Sequence, residues 1–551
     1  MECRALPFRQ LPHQPEIFLD FLEQFSRVAR FYAHPPTMQA AAAEARSLNY
    51  PAERRGEVAA VLRAQNARFG AGDAARENLE RFAKGAVAVV SGQQVGLFSG
   101  PAYAIYKAVS AIHVAQELMS AGIEAVPVFW MATEDHDLDE VRHSTWFDSG
   151  KLKRFELPGN GGAGLPVGQI ALGPAVREMV NEAAEILSAA GGELAAATLR
   201  ESYGPQETYG SAFAKLFARL FAEQGLILLD PLDARLHRTG AELLRRAVEQ
   251  REALSESLLA RNKELEKADY GAQVKVTSRS TLLFYMGDGA KGAPSGAGHA
   301  GSGVRRPVTA NGEKFICGER SWTREDLLAA IEAEPENFSA NALLRPVLQD
   351  YLLPTAAYIA GPAEIAYLAQ AEVLYRKLLG RMTVILPRAA FTLVDAKAEK
   401  LLGRYGLSVE DVWRGSQELR RKMERASVPK TLDKNFAATA RETERRLMAL
   451  KKQIARLDPT LDGAVETAGK KITFQLDKLR RKAGKAEALK AGLVSGHQEF
   501  LESLLYPHKA EQSRELCFLP FLAAWGPGGL KELVKAAGCR KSSGHKILRI
   551  P

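Results

Sequence analysis

Cysteine is scarce: the 551-residue chain has four, Cys3, Cys317, Cys517 and Cys539. None stands in a C-x-x-C pair, which argues against a zinc or disulfide framework and leaves reduced thiols as the expectation. No histidine motif accompanies any of them, so a cysteine nucleophile has no support. Long apolar runs are missing too. None reaches the ~20 residues of a membrane-spanning helix, and the opening residues MECRALPFRQLPHQPEIF contain no apolar signal-peptide core. The expected location is therefore the cytoplasm, with no membrane partner. A strong charge bias is also absent. Lys and Arg number 74 against 65 Asp and Glu, a formal net charge of +9. The densest basic run, Lys478–Lys490, lies on a helical pattern and reads as a solvated face; no aromatic or Gly-rich RNA motif accompanies it, so no nucleic-acid partner is expected.

The chain is organised around residues 86–140, AVAVVSGQQVGLFSGPAYAIYKAVSAIHVAQELMSAGIEAVPVFWMATEDHDLDE. A β-branched run at Ala86–Val90 predicts a strand buried on both faces. The loop Ser91–Gly100 follows, then a helix with Pro101 in its first turn and Ser99 or Gly100 as cap. A second strand, Val128–Ala132, ends at Glu134-Asp135-His136-Asp137. Strand, glycine loop, helix, strand is a βαβ unit whose ligand site lies at the strands' carboxyl ends. Gly92, Gly96 and Gly100 are spaced by four, so the loop is neither G-x-G-x-x-G nor a Walker P-loop. Helix-start N–H groups remain able to hold an anion. The plainer alternative is a tight turn with glycines for clearance; the paired amides Gln93 and Gln94 favour recognition.

SGQQVGLFSGPAYAIYK followed by VPVFWMATEDHD resembles the BshC family, the cysteine ligases of bacillithiol biosynthesis. So do LLRPVLQDYLLPTAAYIAGPAEIAYLAQ at Leu343–Gln370 and VILPR at Val384–Arg388. The resemblance runs from about Leu11 to the C-terminal helices. It implies an α/β protein with a Rossmann-like parallel-sheet core, inserted connecting segments and a long C-terminal α-helical coiled-coil arm. It also implies a role in joining cysteine to glucosaminyl-malate, and the positive excess suits a malate conjugate and a nucleotide.

Taken in order, 1–394 is expected to be the core with N-terminal helices and insertions near 141–200 and 270–340. Residues 395–505 form the arm, and 506–551 pack back as helices. Pro15–Tyr32 and Arg235–Ala268 read as helices; Leu226–Leu229 reads as a third core strand ending at Asp230, a cap or a site residue. Val274–Val276, Leu282–Met286 and Phe315–Cys317 read as strands of an insert. Gly287–Gly303 reads as mobile and dispensable, and His299 within it as solvent-exposed. Gly159–Gly164 reads as a surface turn. An apolar strand near Ala356–Ala360, then Gly361-Pro362 and a helix, repeats the grammar of the first unit, and Thr383–Leu386 is a last strand. Leu447, Leu450, Ile454, Leu457, Leu461, Val465, Ala468 and Ile472 make a heptad seam interrupted at Asp458-Pro459, which predicts two antiparallel helices and a homodimer through the seam.

The expected site is floored by Ser91–Gly100, Asp135–Asp137 and Gly361–Glu364. Ser91, Gly92, Gly96, Gly100 and Gly361 are candidate nucleotide contacts. Gln93, Gln94, Tyr103, Lys107, Arg345, Gln349 and Glu364 are candidate substrate contacts. Lys107 would neutralise a malate carboxylate or a phosphate, and Arg345 would bind an anion or pair with a neighbouring acid. His136 is the candidate general base, with Asp135 or Asp137 orienting it or holding a magnesium-nucleotide; the alternative is a capping histidine. His136→Asn would then cost on the order of 10²–10⁴ in rate. ATP or another nucleotide is the expected co-substrate, because a free carboxylate does not acylate an amine at neutral pH. Two other readings stand beside the ligase: a metal-dependent hydrolase built on Glu134–Asp137, and a coiled-coil scaffold with a degenerate nucleotide fold.

Overall fold

Five short apolar runs pair into one sheet. They are β1 (Val87–Gln93), β2 (Ala125–Met131), β3 (Ile227–Leu229), β4 (Thr355–Ala360) and β5 (Val384–Pro387). The order is β5-β4-β1-β2-β3, and every neighbouring pair is parallel. All of β2 and β4 is buried, as is β1 up to Gly92. That burial explains why these strands read as continuous apolar runs without alternation. The period of two survives in what each side chain touches: Ala88 and Val90 join one apolar layer, Val87 and Val89 the other. Pro127 is tolerated inside β2 because pairing with β3 begins only at Val128.

This computed structural model describes residues 3–159, 162, 164–287, 303–538 and 544–551. The expectations for the Gly287–Gly303 loop (apart from its ends), for His299, for most of the Gly159–Gly164 turn and for Cys539 fall outside them.

Helix α1 (Tyr103–Ser120) joins β1 to β2, and α2 (Pro362–Leu378) joins β4 to β5. Strand order runs outward in opposite directions from the β1/β4 pair. Such a reversal opens a crevice outside the carboxyl ends of the two strands. Two local expectations need correction. β1 continues through Ser91 and Gly92 to Gln93, so the loop is shorter than its glycines suggest. α1 starts at Tyr103 with no side-chain cap, and Ser99 and Gly100 do not serve as one.

Elsewhere, Arg235–Ala268 divides at Gln250 into two helices, Ala234–Glu249 and Arg251–Lys267. Pro15–Tyr32 breaks after Glu23. Val274–Val276 is not a strand. The insert is an antiparallel five-stranded sheet that includes Ser280–Tyr285, Arg306–Asn311 and Phe338–Ala340. The C-terminal region is not wholly helical: His545–Arg549 lies between Cys3–Leu6 and Phe391–Val394 in a three-stranded sheet. This strand returns the chain to the core.

The arm is the expected helical hairpin, Lys430–Leu457 and Asp462–Ala491, turning at Pro459–Leu461. Lys451 pairs with Asp462 (3.0 Å) and Glu466 (2.7 Å), and Asp433 with Arg480, so the limbs are antiparallel. A 28-residue limb is about 42 Å long at ~1.5 Å per residue. Internal packing covers the seam only in part: Val465 is buried, but Leu450 is 47% exposed and Leu457 87%.

Candidate active site at the strand-order reversal

A cavity of about 330 Å³ occupies the crevice. Its floor is Gly92-Gln93-Gln94 after β1 and Gly361–Glu364 after β4. β2 contributes Trp130, with Ala132 and Asp135 just beyond it, and β5 contributes Arg388, the residue after its end. The helix Arg345–Leu352 supplies Arg345 and Gln349 to one wall, and Arg514 comes from the far C-terminal region. Asp135, Gln93, Gln94, Tyr103, Lys107, Arg345, Gln349, Glu364, Gly92 and Gly361 are thus gathered as the sequence led one to expect.

Five expected residues do not line it. Ser91 is fully buried inside β1, and its hydroxyl donates to the Ile359 carbonyl at 2.9 Å. Gly96 and Gly100 lie against each other, where a Cβ on Gly96 would come within 2.7 Å of Gly100 Cα. Their spacing by four serves this close approach. Asp137 is exposed and caps the short helix Leu138–Val141 through the Glu140 N–H (3.2 Å). His136 lies beyond the rim and packs toward the insert, 6.0 Å from the Phe284 ring.

The helix starts facing the crevice already have acceptors. The Ala102 N–H donates to the Leu516 carbonyl (2.8 Å). At α2 the Glu364 carboxylate folds back to accept from the Gly361 N–H (2.8 Å), a capping box. The same carboxylate accepts from the Tyr358 hydroxyl (2.7 Å) and pairs with Lys107 Nζ (2.6 Å). Lys107 donates further to the Gly92 carbonyl and Gln93 Oε1, both at 2.8 Å. Burial lowers the Lys107 pKa and Glu364 opposes that shift. Lys107 therefore fastens β1, α1 and α2 together; its charge is already matched within the fold.

Asp135 lines the cavity together with Glu140. It accepts from Gln94 Nε2 (3.1 Å) and from the His136 backbone N–H (2.7 Å). Burial works to raise its pKa, but Arg305, Arg345 and these bonds outweigh it and hold the carboxyl below the usual range. Arg305 was not legible in advance, since it follows directly on the Gly-rich stretch. It is buried, lies 3.9 Å over the Phe284 ring, and donates to Ser339 Oγ (3.1 Å) and the Ala340 carbonyl (2.8 Å). Its Nη1 also faces His136 Nδ1 at 3.3 Å. A guanidinium only donates, so Nδ1 is the acceptor there and the ring proton belongs on Nε2. That arrangement removes the lone pair a general base needs. His136→Asn is accordingly expected to reduce turnover by less than about tenfold, below the range for a general base; steady-state kinetics on the folded variant check this.

Glu134 sits behind the cavity with His237 Nε2 3.3 Å away, and burial raises its pKa. Asp230 ties the ends of two strands, accepting from Thr133 Oγ1 (2.5 Å) and the Leu232 N–H (3.1 Å). Among the described residues, no three His, Cys, Asp or Glu side chains come together as a metal site.

The helix carrying Arg345 and Gln349 also buries Asp350. Burial pushes its carboxyl up to about 7, with Arg381 pulling the other way. Because the folded value lies above the unfolded one, the folded state holds the extra proton. Stability from this group is full below about pH 4 and is lost as pH rises through about 7. Asp350→Asn should flatten that part of the stability–pH curve and leave the variant more stable than the parent above neutrality, as read by denaturant titration at several pH values.

Arg345, Arg388 and Arg514 form no ion pair among the described residues, although much of the chain's surface is laced with them. Three guanidiniums around a cavity that also holds Asp135 and Glu140 suit an anionic ligand that also carries an amine. Arg388 stands directly after a core strand, so the strand-end rule could have found it; nothing local marked Arg514.

Two family descriptions cover the chain. "Bacillithiol biosynthesis BshC, N-terminal Rossmann-like domain" matches residues 1–389, and "Bacillithiol biosynthesis BshC, C-terminal coiled-coil domain" matches 391–550. Relatives named "Putative cysteine ligase BshC" include one from Koribacter versatilis, 41% identical over 99% of both chains. Another, from Solibacter usitatus, is 37% identical over 96% of both, and one from Salinibacter ruber is 32% identical over 97% of this chain and 96% of its own. With a Rossmann-like parallel sheet, a coiled-coil arm and full-length likeness to these relatives, the chain belongs to the BshC family of bacillithiol biosynthesis.

Proposed function

We propose that the protein joins the carboxylate of cysteine to the amine of glucosaminyl-malate, forming an amide. The observation that carries this reading is the cavity's charge pattern: three arginines without an ion pair among the described residues, set beside Asp135 with its lowered pKa and the further acids Glu140 and Glu364. Malate offers two carboxylates to the arginines, and the amino sugar offers an ammonium to Asp135. Asp135 is too acidic to take the amine's proton efficiently, so its work is to hold and orient the amine. Gln93 and Gln94 face the sugar hydroxyls. The cysteine carboxylate requires activation, and a nucleoside triphosphate with magnesium is the economical source. Gly96 and Gly100 pack against each other, so the glycine loop leaves no space between them for its phosphates. The rival hydrolase reading loses its donors, since Glu134 turns toward His237 and Asp137 caps a helix.

The test is the thiol-metabolite profile of a strain lacking the gene. Loss of the final thiol with accumulation of glucosaminyl-malate supports the ligase. An unchanged profile contradicts it and favours a scaffold.

The arm completes the proposal as a dimerisation element, because its exposed apolar seam needs a second copy to cover it. Replacing Leu450 and Leu457 with Asp should shift sedimentation from dimer to monomer. An unchanged dimer would place the contact elsewhere.

A further inference from the structure

We propose that Arg514 is a specificity-determining residue, which makes the site select substrates carrying a second carboxylate. The inference rests on the reading of the cavity as the malate-conjugate site and assigns one residue within it.

Arg514 arrives by an unusual route. After the arm, the helix Val494–Leu505 leads into a strap, residues 506–518, that crosses back over the crevice. Two successive non-glycine residues of the strap, His508 (φ 49°) and Lys509 (φ 62°), adopt the left-handed conformation. Such strain persists only where the surroundings over-determine it, and here they do. The Gln512 side chain accepts from the Leu393 N–H (2.7 Å) and donates to the Leu393 and Leu504 carbonyls, both at 2.9 Å. The Cys517 N–H donates to the Thr145 carbonyl (2.8 Å), and the Leu516 carbonyl accepts from the start of α1.

The strap thus holds Arg514 at the cavity next to buried Arg388, which lies 5.8 Å from the Tyr103 ring. Glu511 on the strap bonds to Gln14 (2.5 Å) and is the acid that acts most strongly on Arg388, though it forms no ion pair with either arginine among the described residues. Arg345 belongs to a different set of neighbours, Asp135 and Tyr367. The cavity therefore has two cationic loci, Arg345 beside Asp135, and the Arg388–Arg514 pair. Two like charges held side by side are relieved when an anion bridges them. One carboxylate satisfies Arg345; a second is needed to satisfy the pair.

The test is calorimetric titration of the full chain with malate and with lactate, its one-carboxylate counterpart. Parent, Arg514→Gln and Arg514→Lys proteins are compared, with circular dichroism to confirm folding. The parent should prefer malate. Arg514→Gln should cut malate affinity roughly tenfold or more while leaving lactate affinity unchanged, a pattern that mere loosening of the strap would not give. Arg514→Lys should recover part of the loss. An Arg514→Gln protein that keeps the parental preference, or a parent with no preference, overturns the inference. The ligase reading is judged separately by the metabolite profile, so a dicarboxylate preference that depends on Arg514 can stand even if ligation fails, and the reverse.

Discussion

Arg345→Gln is expected to lower kcat/KM for ligation by roughly 10²-fold, with the denaturation midpoint unchanged. The second half of that expectation follows from the first. Arg345 forms no ion pair among the described residues, so its removal takes from the fold little beyond its bond with Tyr367 and its attraction to Asp135. It nevertheless stands on the cavity wall, where it helps hold Asp135 ionised. Its loss removes an anion contact and weakens the acid that orients the amine. Arg345→Lys should recover little, because an ammonium cannot reproduce the planar fork that grips a carboxylate. A variant with a normal midpoint and normal kcat/KM would remove Arg345 from the site.

Lys107→Met should act in the opposite manner, destabilising the fold by about 3 kcal/mol, the lower end for breaking a buried ion pair. The lower end applies because Glu364 keeps two donors, Tyr358 and the Gly361 N–H. The substitution leaves three acceptors without their Lys107 donor, two at the end of β1 and one on α2. The double variant Lys107→Met/Glu364→Gln should recover part of the loss, since no unpaired carboxylate is then left behind. Denaturant titration reads both. Lys107→Met with parental stability would mean that the pair does not fasten the crevice.

The same two residues show what the sequence could disclose. Glu364 was placed at the crevice by strand-end position, because buried parallel strands announce themselves as unbroken apolar runs, and Lys107 by the helix face it shares with Tyr103, four residues before it. Their mutual pairing was invisible, since it joins residues 257 positions apart through two separate helices. Ser91, Gly96 and Gly100 misled for a related reason. Small residues after a strand suggest room for a phosphate, yet here the strand runs on and the glycines pack together. His136 misled because its neighbour Arg305 comes from an insert whose Gly-rich flank carries no pattern. The strap and the last strand were read as helices, since short segments of mixed apolar residues carry no clear period. The helical hairpin was legible, down to its reversal at Asp458-Pro459, because a heptad seam is a long and local signal, whereas its limits were not: helices on either side of it, such as those carrying Leu402 and Leu501, pack into the main core.

Binding of glucosaminyl-malate tests the central claim without requiring the activating co-substrate to be known. Titrated into parent protein and into Arg345→Gln, it should bind the parent with 1:1 stoichiometry per chain and the variant at least tenfold more weakly. Equal affinity for both proteins, or no binding to the parent, would contradict the assignment of this cavity.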